Sequence, residues 1–486
     1  MMTMKEELRQ RSKDTREDLG VLLNTKTSIT EKILAANNPA RLLLAAFLIV
    51  IFIGSVLLYM PFSNVSSQAP YIDNLFEAVS AVCVTGLTTI VPAAQYNLFG
   101  KIVLIFLMEI GGLGPMTIIA VIMQRNRRYM AMAEKKFFAS AAGKSDLSDV
   151  PRYIRRIVRY TLTFELAGFI VMAIHLVPEF GMEKGLFNAL FLAVSAFTNS
   201  GFDCLGPDSL AQFAADPIMN LTVMTLIIFG GLGFMVWFEL TDLIRTRVKR
   251  NKGLIVTRKR LSVHAVTVIK LTVSLILSGA VIFWLFEYDN PGTIGRMLPE
   301  GKLFTSLFQS VTLRTAGFST VSIGACTRPV LIIMCLYMLI GGSPGGTAGG
   351  MKTTTAAVLY VSAVNTLSDR QSEAVIHRRS ISFSLLKQAF VILYLYVCFL
   401  FAALIVLSIS DGRIDFLALV FESFSAIATV GISTGITGSL SLVGKIVIMA
   451  LMFVGRIGPL SVYTAFHKEK KLTNHISYPE ADIIIG

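Results

Sequence analysis

A small or apolar run that ends in glycine followed by an apolar residue is written four times at nearly constant spacing in this chain. The phrases are Ser80-Ala81-Val82-Cys83-Val84-Thr85-Gly86-Leu87, Ser195-Ala196-Phe197-Thr198-Asn199-Ser200-Gly201-Phe202, Val311-Thr312-Leu313-Arg314-Thr315-Ala316-Gly317-Phe318 and Ser425-Ala426-Ile427-Ala428-Thr429-Val430-Gly431-Ile432. Counted from Gly86 to Gly201, Gly317 and Gly431, the intervals are 115, 116 and 114 residues. So regular an interval predicts four copies of one structural unit, each far longer than the repeats of solenoids or propellers. Four such units can bring their glycines together around one axis.

Composition places that axis in a membrane. Hydrophobic residues make up 54% and charged residues 15% of 486, too apolar a balance for an ordinary soluble domain. Each repeat holds two long apolar segments: 42–60 and 99–124, 156–178 and 217–243, 263–286 and 328–341 with 353–366, and 383–409 and 442–466. Between them lies an apolar stretch of about a dozen residues ending at the repeated glycine, too short to cross ~30 Å of hydrocarbon as a helix. It reads as a re-entrant half-helix. The predicted fold is an all-α polytopic membrane protein of four helix–pore-loop–helix repeats around one pseudo-fourfold pore, with eight spanning helices. Its divisions are an arm at 1–41, repeat 1 at 42–124, repeat 2 at 125–243, repeat 3 at 244–366, repeat 4 at 367–466 and a tail at 467–486.

Basic residues set the orientation. Of 44 lysines and arginines, 33 fall before residue 42 or within 125–159, 245–260, 370–387 and 468–471, so those segments are expected on the cytoplasmic side. Both termini are then inside a plasma membrane crossed many times, and the half-helices enter from outside. Leu42 onward serves as an uncleaved anchor after a polar arm. Topology and anionic lipid account for the net charge of +13, so no nucleic-acid partner is expected.

The glycines carry the chemistry. Irregular backbone at membrane depth is tolerated only where it is shielded in protein or lines water. Four loops around an axis meet that condition by lining a pore, and their carbonyls can replace the hydration shell of a monovalent cation. Glycine permits backbone conformations and close approaches that a side chain forbids. Each half-helix points its partially negative C-terminal end at the pore centre, which favours a cation.

The glycine phrases resemble those of the Trk/Ktr/HKT superfamily of potassium transporters, most closely the bacterial Ktr-type membrane subunit, and the resemblance runs from Arg41 to Gly486. It implies a selectivity filter at Val84-Thr85-Gly86, Asn199-Ser200-Gly201, Thr315-Ala316-Gly317 and Thr429-Val430-Gly431. The family's first filter position is glycine in potassium-selective members and serine in some sodium-selective ones; all four are glycine here. Potassium is therefore the expected ion, with sodium permeation or coupling (a symporter) as the alternative. The resemblance also implies a homodimer, whose C-terminal Ile483-Ile484-Ile485-Gly486 would pack between subunits, and a separate cytoplasmic nucleotide-binding regulatory ring.

A second glycine cluster follows in each repeat: Gly111-Gly112-Leu113-Gly114, Gly230-Gly231-Leu232-Gly233, Gly341-Gly342-Ser343-Pro344 and Gly455-Arg456-Ile457-Gly458. For the first two, close helix packing by small residues is the expected role. The third continues through Gly342, Ser343, Pro344, Gly345, Gly346, Thr347, Ala348, Gly349 and Gly350, too many helix breakers for a continuous span. The helix is expected to open there beneath the filter, and the resemblance implies a gate at that point. Arg456 is expensive in a spanning helix unless it faces a cavity or finds partners. Either it is a barrier under the filter, a role the resemblance also implies, or it pairs with Glu109 or Glu239.

Other residues have plainer roles. Glu77 and Glu422 are expected to hydrogen-bond nearby loops, Arg314 to brace the third pore loop, and Asp203 either to attract cations at the mouth or to be an ordinary loop carboxylate. Five cysteines and five histidines show no metal-ligand spacing. Gly345 to Gly350 lacks the immediate lysine of a phosphate-binding loop, since Met351 intervenes, and no enzymatic activity is expected. A transporter of an organic solute is the rival reading, because broken helices serve those proteins too; a fourfold quasi-repeat disfavours it.

Overall fold

The computed structural model describes residues 39–65, 67–114, 150–206, 209–251, 260–368 and 374–467. Nearly all of the expected arm, much of the basic loops and the isoleucine-ending tail lie outside the described residues. Repeat 1 consists of α1 (Pro39–Tyr59), the half-helix α2 (Tyr71–Val82) and the inner helix α3 (Leu98–Leu113). Repeat 2 follows as α4 (Val150–Phe180), the half-helix α5 (Met182–Thr198), α6 (Pro217–Gly231) and α7 (Phe234–Asn251). Repeat 3 is α8 (Val263–Glu287), the half-helix α9 (Pro299–Thr312), α10 (Arg328–Leu339) and α11 (Thr353–Leu367). A two-stranded hairpin, β1 (Val375–Ile376) and β2 (Arg379–Ser380), precedes α12 (Phe383–Ser410), the half-helix α13 (Phe416–Ile427), α14 (Leu442–Ile457) and α15 (Pro459–Phe466).

The outer helices α1, α4, α8 and α12 are each long and apolar enough to cross a membrane. Their large apolar side chains face outward, among them Phe52, Leu162, Leu277 and Phe401, as lipid-facing surfaces require. Three of the four inner helices start on side-chain caps: Asn97 accepts from Gly100 N, Asp216 from Ile218 N and Met219 N, and Ser441 from Gly444 N. These bonds satisfy orphan N–H groups at the helix starts.

The inner helices do not run straight. Continuous spans were expected over 217–243 and 442–466; instead α6 and α7 meet at 101° and α14 and α15 at 94°. The cause is one residue in each cluster. Gly114, Gly233 and Gly458 have φ of 81°, 87° and 92°, a left-handed conformation that ends an α-helix. The first glycines of the first two clusters do have the expected packing role, and Gly455 shares it. A Cβ at Gly111, Gly230 or Gly455 would collide with the carbonyl oxygen of Val82, Phe197 or Ile427, each four residues before Gly86, Gly201 or Gly431.

The half-helices are sealed inside, with Phe76, Phe191, Phe308 and Phe421 all fully buried. The ring of repeats closes where Lys445 of α14 reaches Asp73 of α2, Nζ to Oδ1 at 2.6 Å, both nearly buried. Lys445→Met should strand the Asp73 carboxylate and lower stability by about 3–5 kcal/mol. Adding Asp73→Asn should recover much of that loss in a thermal melt of the detergent-solubilised protein; a double variant as unstable as the single would show that the pair does not fasten the ring.

Candidate functional site: a ring of backbone carbonyls

Each half-helix ends in the same backbone motif. Val84, Asn199, Thr315 and Thr429 have φ of 57°, 60°, 67° and 52°, and two residues later Gly86, Gly201, Gly317 and Gly431 have φ of 93°, 72°, 83° and 92°. The intervening Thr85, Ser200, Ala316 and Val430 are not left-handed, so φ alternates in sign across every loop. Left-handed φ is costly for a β-branched residue such as Val84, Thr315 or Thr429, and surrounding structure has to hold it there. That structure is visible: Thr85 N, Ser200 N and Val430 N donate back to Ser80 O, Ser195 O and Ser425 O at 2.9, 2.8 and 2.8 Å. The Ser80 and Ser425 hydroxyls accept from Gly86 N and Gly431 N, both at 3.0 Å. The apolar residue after each glycine, Leu87, Phe202, Phe318 or Ile432, is buried and pins the loop from the other side.

The four loops meet. A Cβ on Gly86 would lie 2.6 Å from Ser200 O, one on Gly201 2.7 Å from Ala316 O, and one on Gly317 2.9 Å from Val430 O; one on Gly431 would strike Thr85 O. The contacts run from repeat 1 through 2, 3 and 4 and back to 1. Among the described residues no hydrogen bond ends on the carbonyl oxygens of Thr85, Ser200, Ala316 or Val430. Buried carbonyls normally have a donor, so this ring has acceptor capacity left for something else.

Above the ring, on the side from which the half-helices enter, opens a mouth of about 720 Å³ lined by all four glycines. Asp203 is the one ionisable side chain among its described lining residues. Its carboxyl is pushed up to about 6 by burial, against the opposing effect of the hydrogen bond from Leu205 N at 3.1 Å. Glu77 accepts from Thr89 N at 2.9 Å, and Glu422 accepts from the Thr437 hydroxyl. Both brace the strand of chain leaving the ring, as expected. Among the described residues Arg314 does not show the expected bracing bond: it is buried with Nε and Nη2 unpartnered.

Below the ring lies the glycine-rich loop between α10 and α11. A Cβ on Gly349 would strike the Thr429 side chain, and one on Gly350 would lie 2.9 Å from Ala428 O, so the loop touches the underside of the fourth pore loop. The Thr347 hydroxyl donates to Phe197 O at 3.0 Å, which ties it to the second. Ser343, Thr347 and Ala348 are fully buried. Arg456 reaches across the same space, donating to Thr347 O, Gly111 O and Gly112 O. Its partners are thus carbonyls, one of them in the loop; Glu109 lies against Glu165, and Glu239 accepts from Ser262. Sequence reasoning gave no role to Lys352, whose Nζ donates to Ala348 O at 2.8 Å. A lone lysine within an apolar segment was the available signal.

Three relatives align along nearly their whole length. Ktr system potassium uptake protein B of Bacillus subtilis (strain 168) is 35% identical, covering 92% of this chain and 97% of its own. The protein of the same name from Vibrio alginolyticus is 36% identical, with 93% and 96% covered. Potassium/sodium uptake protein NtpJ of Enterococcus hirae is 32% identical, with 92% and 97% covered. All are transport proteins and none is named as an enzyme. Among solved structures, the potassium transporter TrkH from Vibrio parahaemolyticus shares the fold with a TM-score of 0.66 at 18% identity, over 87% of this chain and 84% of that one. The description "Cation transport protein", the TrkH family, matches residues 19–475. On that extent of agreement, the chain belongs to the TrkH family of cation transport proteins.

Proposed function

We propose that this chain is a potassium uptake protein of the plasma membrane, with the carbonyl ring as its selectivity filter and the 342–350 loop as its gate. The observation that carries the reading is the closed ring of four carbonyls without donors among the described residues, at depth between apolar helices. Uncharged oxygens in a fixed ring suit a monovalent cation that sheds its water on entry. The names of the Bacillus and Vibrio relatives support potassium. A second reading, sodium permeation or sodium coupling through the same ring, draws support from the Enterococcus relative, which is named for both ions. Work as a homodimer under a cytoplasmic nucleotide-binding ring, with both termini cytoplasmic, belongs to the same proposal and rests on the family resemblance and on charge asymmetry.

Three experiments test this reading. In liposomes carrying the purified protein, Gly86→Ser should weaken potassium preference over sodium, since a side chain at φ 93° and 2.6 Å from Ser200 O must distort the ring. Unchanged selectivity at full flux would sink the filter assignment. Arg456→Gln removes a fixed positive charge from beneath the filter and strands no carboxylate. Maximal flux should rise, by on the order of tenfold for each ~1.4 kcal/mol of barrier removed, with little change in melting temperature. A lower flux together with a lower melting temperature would make Arg456 structural.

The Asp203 carboxylate should collect cations at the mouth only while ionised. Its charge is present above a pH of about 6 and lost below it. Rubidium uptake at limiting concentration should therefore fall as external pH drops through that value, and Asp203→Asn should be low and flat. A pH profile identical in the variant would remove Asp203 from the entry path.

A further inference from the structure

The break in repeat 2 and the gate loop of repeat 3 fit into one another. Where α6 stops, the carbonyls of Gly230 and Gly231 have no helical partner, because Gly233 has turned the chain. The gate loop supplies the donors: Thr347 N to Gly230 O at 3.1 Å and Ser343 N to Gly231 O at 2.9 Å. Where α7 starts, Phe234 N is an orphan donor in turn, and the loop supplies the acceptor, Gly345 O at 3.0 Å. Three bonds therefore plug a broken helix from both sides.

In a straight α-helix the same atoms would pair with each other. The N–H of residue i bonds the carbonyl of i−4, so Phe234 N belongs on Gly230 O and Met235 N on Gly231 O. The gate loop and an unbroken inner helix thus compete for the same two carbonyls. We propose that this competition is the switch of the gate: bent, the α6–α7 helix holds the loop under the filter; straightened, it takes back Gly230 O and Gly231 O and releases the loop. A conformational step built this way is two-state, because an intermediate leaves buried polar groups without partners.

The other end of α7 is placed to drive the change. Arg156 near the start of α4 bonds Asp242 of α7 at 3.0 Å and stacks on Phe238 at 4.3 Å, and the Ser262 backbone before α8 donates to Glu239 at 2.9 Å. By charge distribution this end faces the cytoplasm, so a load there would be carried along α7 to Phe234. The inference rests on the reading of 342–350 as a gate, and its test separates the two.

Adjacent substitutions should act in opposite directions. Gly233→Ala penalises the bent state twice, through φ of 87° and through a Cβ 2.6 Å from Pro344 O, while favouring helix. It should shift the straight-to-bent ratio by about tenfold and raise flux. Phe234→Pro is tolerated as the first residue of α7 and gives up the bond to Gly345 O, but in the straight helix it would both lack the donor for Gly230 O and clash with that carbonyl, a larger cost, so it should hold the helix bent and flux low. Phe234→Ala controls for loss of the ring.

Spin labels at Leu221→Cys and Ile244→Cys, both exposed positions, with the exposed Cys398 replaced by serine, report the bend directly. A straight helix sets their backbones ~35 Å apart, and the 101° bend brings them closer. In the otherwise native chain, shortening the 342–350 loop should raise flux and lengthen this distance, since Gly230 O and Gly231 O then need Phe234 N and Met235 N. Higher flux at an unchanged short distance would overturn the switch and leave the gate standing, as would Gly233→Ala with neither effect. If the shortened loop does not raise flux, the gate reading itself fails.

Discussion

Everything in this fold serves a backbone that cannot satisfy itself. Four loops carry left-handed residues at alternate positions, and the carbonyl before each glycine lies against the glycine of a neighbouring repeat with no donor among the described residues. Such a ring costs free energy unless a cation visits it, and the rest of the chain holds it in place meanwhile. Serines at the half-helix ends take up N–H groups, the glutamates at 77 and 422 hold the outgoing chain, and a buried apolar residue after each glycine fixes the loop against the core. The fourfold sequence phrase is the record of those requirements, position by position.

Most of that was legible in the sequence because it repeats. Glycine at the ring, the apolar residue after it and serine six before it in repeats 1, 2 and 4 mark the loops, and the lengths of the intervening segments separate spanning helices from half-helices. The bends were not legible. The clusters at 111–114 and 230–233 read as packing glycines, and 455–458 stood out only for its arginine, yet within each cluster the first glycine admits a neighbouring carbonyl while the last turns left-handed and ends the helix. Composition cannot tell those uses apart, since each needs a residue without a Cβ. The partners of Arg456 were not legible either, because carbonyl acceptors carry no residue identity.

The departures from fourfold symmetry gather on one side of the ring. Above it the repeats keep to one design, apart from Asp203 standing where the others have Thr88, Ser319 and Ser433. Below it, repeat 3 replaces a simple helix stop by the buried 342–350 loop, and repeat 4 replaces a glycine by Arg456, which bonds that loop and the end of α3. Ion recognition needs near-equivalent ligands from all sides, whereas an obstruction on an axis can come from one side only. On the proposed function, the symmetric half of the molecule selects and the asymmetric half stops and releases.

That division also explains why glycine dominates the lower layer although no ion need bind there. If the loop leaves its place as proposed, it cannot be held by interlocking side chains, whose removal would open cavities in a close-packed interior. It can be held by backbone hydrogen bonds to carbonyls that a helix break exposes, because those bonds have an alternative partner within the helix itself. Gly341, Gly346 and Gly350 come so close to neighbouring backbone that a Cβ on any of them would press on it. Side chains in their place would wedge the loop away from the atoms that the proposed switch exchanges.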